Sequence, residues 1–157
     1  MCSSDLEEFR RSIYVQMRRT KPVGMLEAFD LPRMEPNCEL RSASTVAPQS
    51  LALMNGEFTL AQAKFFAERV AKEAGDSTDE SKVARAWQLA FSRRPSNTEL
   101  TDALGFLAKQ RAHFTTNAPK TAPVAKGKEP PPANADDHAL TSLCQALLTA
   151  NRFLYVE

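Results

Sequence analysis

Apolar residues recur with two different periods along the chain. Over residues 9–19, FRRSIYVQMRR, Ile13, Val15 and Met17 alternate with Ser12, Tyr14, Gln16 and Arg18, which predicts a short extended N-terminal segment. Pro22, Pro32 and Pro36 punctuate the next section and leave MLEAF, at 25–29, room for a helical turn or two. The period then becomes helical. Thr45 suits a cap, Pro48 is tolerated in a first turn, and Leu51, Met54, Phe58, Ala61 and Phe65 follow as the apolar stripe of an amphipathic helix. Asn55-Gly56 would join two strands in a hairpin, but its flanks have helical period, so it predicts a break between two helices. The second of these should end near Ala74, before Gly75.

Ser77 with Glu80 and Ser96 with Glu99 both have the spacing of a capping box, in which each side chain satisfies an orphaned first-turn amide. The first box opens a helix with Val83, Trp87 and Ala90 on one face, flanked by Ala86 and Leu89. The second follows Pro95 and turns Leu100, Ala103, Leu104 and Leu107 inward. Two antiparallel helices joined across 92–95 result. Over 114–136 the composition shifts to Pro, Ala and Lys, with five of the chain's 10 prolines and little to bury, which predicts a disordered insertion. A last helix, opening near Asp136 or Asp137, carries Leu140, Leu143, Leu147 and Ala150, and the apolar FLYV at 153–156 closes it. The predicted fold is mainly α: an irregular bundle of about five helices with a short extended N-terminal segment. Residues 9–113 and 137–157 form one helical domain around the insertion. Residues 1–8 read as a non-native or disordered start, since CSSDL is what one frame of a common sequencing-adapter oligonucleotide encodes.

Composition narrows the chemistry. At 157 residues the chain is long enough to bury a core without disulfides. A formal net charge of +1 provides no global field for nucleic acid. Cys2, Cys38 and Cys144 are widely spaced, with no C-x-x-C and no C-x-x-C-H, so zinc-ribbon, dithiol redox and covalent haem motifs are unsupported, and Cys144 reads as a buried thiol. His113 and His138 have no metal-binding partner at helical spacing. No apolar stretch reaches the ~20 residues of a membrane span.

Arg10, Arg11, Arg18, Arg19 and Lys21 form the one basic cluster, partly offset by Glu7 and Glu8, but without interleaved aromatics they read as a solvated strand edge or internal salt bridges rather than a nucleic-acid surface. Ser50 lacks the G-x-S-x-G elbow of a nucleophile and reads as a helix-start serine. No catalytic constellation and no metal site is present in the sequence. The candidate ligand-binding set is Arg41, Thr45, Gln49 and Asn55, because a guanidinium and side-chain amides near a helix start can grip an anionic or carbonyl group. The competing role for these groups is to satisfy the backbone of the proline-broken coil.

RRSIYVQMRRTKPVGMLEAFDLP, CELRSASTVAPQSLALMNGEF and LCQALLTANRFLYVE, in that order, resemble the C-terminal domain of unknown function (domain of unknown function 1553) of large planctomycete proteins. WQLAFSRRPSNTEL fits the same family's helix, Arg-Pro loop and capped helix. Many such proteins carry an upstream cytochrome c module. The resemblance implies a C-terminal fragment of an exported, periplasmic or cell-surface protein, with upstream domains of the same polypeptide as partners. Any haem would lie in that upstream module, with no cofactor in this chain. Asp30, Cys38, Arg41, Thr45, Pro48, Gln49, Asn55 and Asn151 transfer only as motif positions. The final motif commonly has a pair of asparagines around a serine and then an acidic residue, where this chain has Thr149, Ala150, Asn151 and Arg152. That departure argues against an acidic or amide-rich site at the C-terminal helix.

Two functions fit these observations. One is a non-catalytic structural or interaction domain. The other is a subdomain of an enzyme or ligand-binding protein whose site upstream residues complete.

Overall fold

The computed structural model describes residues 28–29, 47–75, 78–117 and 134–154. Six helices fall within them: α1 (Ala47–Asn55), α2 (Glu57–Ala74), α3 (Asp79–Phe91), α4 (Asn97–Thr116), α5 (Ala135–Leu148) and the single turn α6 (Asn151–Leu154). The described residues contain no strand, so the mainly α expectation holds. The expected extended segment at 9–19, the start at 1–8 and most of 114–136 lie outside them. The chain divides into two compact units, Met1–Ala52 and Leu53–Glu157. In the first, Ala28 and Phe29 are half-buried and 47–52 form the opening turns of α1.

The second unit is built on α5, against which α2 and α4 pack most extensively. Its core joins Ala67 and Val70 of α2, Val83, Ala86 and Trp87 of α3, Ala103 and Leu107 of α4, and Ala139, Leu140, Leu143, Cys144 and Leu147 of α5. The expected inward positions of α3, α4 and α5 are thus largely confirmed. Leu100, Leu104, Leu89 and Ala90 pack at the margin of this core. Ala150 lies beyond the end of α5 and is half-buried.

The apolar stripe read from α1 and α2 is reversed. Leu51, Met54, Phe58 and Phe65 are 51 to 60% exposed, and Ala61 is exposed with them. Leu53, Thr59, Ala63, Ala67 and Val70 are buried instead. Size explains the choice. Alanines let helix axes approach closely and allow more neighbours to be buried per residue, whereas two phenylalanines on the same face would hold the helices apart.

Helix ends are set locally. α1 stops at Asn55, and Gly56 takes extended backbone as the N-cap of α2, so the expected break at Asn55-Gly56 is present. α2 ends at Ala74, where Gly75 at φ 63 closes it. The Ser96/Glu99 capping box is formed: Ser96 N–H donates to Glu99 Oε2 (2.8 Å) and Glu99 N–H to Ser96 Oγ (3.3 Å). Ser77, of the other expected box, lies outside the described residues. The N-cap of α3 is Thr78, its side chain does not cap, and Asp79 opens the first turn with a carboxylate that suits the positive helix end. α4 runs on through Phe114 to Thr116, and α5 opens at Ala135 with Asn134 as N-cap, so both edges of the predicted insertion are helical.

Candidate functional site

The expected ligand set begins at α1. Gln49, in the first turn, is only 5% exposed, while its neighbour Ser50 is exposed, and Asn55 is exposed at the other end of the helix. Six residues along an α-helix separate Gln49 and Asn55 by roughly 9 Å of rise and turn them to different faces. The helix therefore does not bring these two amides to one point. Arg41 and Thr45 lie outside the described residues.

Within the second unit the polar chemistry gathers in three ionic nodes. The first centres on Glu99. Arg93 grips its carboxylate with both terminal nitrogens (2.8 and 2.5 Å), Arg152 donates to Oε1 (3.1 Å), and the Ser96 amide completes the set. Arg93 first, and then the Ser96 N–H, hold the Glu99 carboxyl well below the usual carboxylate range. Arg152 also lies over the Phe91 ring at 5.9 Å, and Phe91 meets Trp87 edge-on at 6.0 Å. Two stretches of the sequence resemblance, SRRPSNTEL and NRFL, thus meet at one carboxylate, and Arg152, one of the positions that depart from the motif, is one of its donors.

The second node is Arg111, which reaches Asp79 at the start of α3 and Asp136 at the start of α5. Its hydrogen bonds lower the Asp79 carboxyl below its ordinary value. The third is Glu73, held below its ordinary value by Arg69 and then Arg85. Sequence reasoning missed all three nodes. Arg69 with Glu73 has the i, i+4 spacing of a helical pair, whereas Arg111 is 32 residues from Asp79 and carries no local signal.

Cys144 is fully buried, and burial pushes its thiol up to about 12, so it remains a protonated, poorly nucleophilic core residue. The Trp87 indole N–H is buried without a hydrogen-bond partner. Among the described residues no group of three or more His, Cys, Asp or Glu side chains is placed to hold a metal ion, and no helix is long and apolar enough to cross a membrane.

A family model described as PSD1, protein of unknown function (DUF1553), matches residues 2–107. The chain belongs to this family. The PSD1 match takes in α1, α2, α3 and α4 as far as Leu107. It stops before α5, although α5 supplies Leu140, Leu143 and Leu147 to the same core. No curated protein and no solved structure matches the chain.

Proposed function

We propose that this chain is a non-catalytic structural and interaction domain of a larger exported protein. One observation carries the reading: α2 is apolar on two opposite sides. Ala63, Ala67 and Val70 face the core, while Phe58 and Phe65 share the other side with Ala61 and keep about half their surface exposed. A helix with apolar residues on both sides belongs between two surfaces, and exposed aromatic area of this kind marks a docking face. The burial of Gln49 supports a structural role for the start of α1 over a ligand-binding one.

The sequence resemblance supplies the partner for that face: the upstream domains of the same polypeptide, on the periplasmic or cell-surface side, which would also house any haem. The test is to express the chain joined to the coding sequence upstream of it in the genome. Amide exchange over α2 and binding of an apolar dye are then compared with the isolated chain. Slower exchange over residues 57–68 and loss of dye binding are expected. Unchanged exchange and dye binding would overturn the docking role.

A further inference from the structure

Asn55 is the one asparagine in this sequence followed by glycine; Asn37, Asn97, Asn117, Asn134 and Asn151 precede larger residues. It is also exposed, it is the last residue of α1, and Gly56 after it already has extended backbone. In a helix interior the next amide nitrogen is held away from the asparagine side chain by the continuing helical hydrogen bonds. At the last residue of α1 that restraint is at most the single closing hydrogen bond of the helix, because no further α1 amide follows Gly56. Glycine also has no Cβ to crowd the approach of its own nitrogen.

We propose that Asn55-Gly56 is a self-modification site. The Gly56 nitrogen attacks Asn55 Cγ. An N–Cγ bond forms, the Cγ–Nδ2 bond breaks, and the departing amide takes up the proton released by the Gly56 nitrogen and leaves as ammonia. Water then opens the resulting five-membered imide at either carbonyl, giving aspartate or isoaspartate at position 55. No oxidant, metal or enzyme enters the balance.

The surroundings decide what each product does. Met54 C=O accepts from Gln145 Nε2 of α5 at 2.7 Å, and Gly56 C=O accepts the Leu60 N–H of α2 at 3.0 Å. Isoaspartate adds one backbone atom between these two pinned carbonyls. One of them must release, which frees either the α5 tether or the first turn of α2. Aspartate keeps the backbone length but places a carboxylate at the negative end of α1, beside Glu57. Modification therefore acts at the root of the α2 face.

The whole chain is incubated at mildly alkaline pH and mapped by peptide mass spectrometry, with aspartate and isoaspartate distinguished by fragmentation. The expected result is a gain of one mass unit at Asn55, with both isomers present, ahead of every other asparagine. Gly56→Ala should slow the gain strongly. Its φ of -69° and ψ of 128° suit any residue, so the variant can keep the fold. If Asn55 stays intact while other asparagines convert, or if Gly56→Ala converts at the parent rate, the proposal is overturned.

Discussion

Arg111 and Asp79 are joined by two parallel hydrogen bonds, Nη1 to Oδ2 at 2.5 Å and Nη2 to Oδ1 at 2.7 Å, across 32 residues of sequence. With Nε turned to Asp136, one guanidinium ties the late part of α4 to the first turns of α3 and α5. Each carboxylate also suits its own helix dipole, so losing the cation does not leave either one unsupported. Arg111→Gln should therefore cost about 1 kcal/mol, a value set by the partial exposure of all three groups. Urea unfolding of parent and variant measures it, and an unchanged midpoint would remove Arg111 from the account of stability.

The ionic nodes also set the acid limb of stability. Asp79, Glu73 and Glu99 all have carboxyls lowered by their arginine partners, so each binds a proton more readily unfolded than folded. Their contribution is fully present above the ordinary carboxylate range, near pH 4, and is lost as pH falls through the lower folded values. Unfolding midpoints should hold steady from neutrality to about pH 5 and then decline toward about pH 2. Arg93→Gln should make the decline shallower by restoring Glu99 toward its ordinary titration. A decline as steep as the parent's would contradict the role given to Glu99.

Leu107 and Phe58 test the reversal of the α2 face. Leu107 is 2% exposed within the core, so Leu107→Ala should cost about 2–5 kcal/mol. Phe58→Ala removes more carbon but from a half-exposed position, and should cost less than about 1 kcal/mol. Equal losses in denaturant melts would show that Phe58 is packed in solution.

Gln49 and Ser50 are neighbours in opposite environments. Gln49→Ala should cost roughly 1–3 kcal/mol through the buried partners it leaves unmet, and Ser50→Ala under about 0.5 kcal/mol. A Gln49→Ala protein as stable as the parent would defeat the structural role of this amide and return attention to ligand binding.

Ser92 closes α3 with φ 56 and ψ 19, a left-handed conformation that costs a residue bearing Cβ roughly 1 kcal/mol. Ser92→Gly should raise stability by about 0.5–1 kcal/mol, read as a higher thermal midpoint. No gain would mean that the serine side chain compensates for its backbone.

The pairing of α3 with α4 was legible because most local cues agreed there. Large aliphatics fell at helical spacing, Pro95 stood just before a working capping box, and the buried face used Val83, Trp87 and Leu107. The face of α2 was not legible. A hydrophobicity pattern ranks phenylalanine above alanine, whereas the packed structure chose the residues that let helices come close. The candidate site was legible only as polar residues near a helix start, since the sequence fixes neither the burial of Gln49 nor the turn that separates it from Asn55. Ionic nodes that span α3, α4 and α5 depend on tertiary register, which no local period encodes.

The last turns of α4 and the first turn of α5 are held together twice, by Arg111 with Asp136 and by Phe114, whose ring meets His138 at 5.2 Å. A chain anchored in this way at both feet of a connection has already met most of the cost of closing it. Each doubling of the length between the feet adds only about 0.6 kcal/mol. Codons gained or lost between these two feet therefore change the cost of closing the connection only slowly, as long as Arg111, Phe114, Asp136 and His138 are kept.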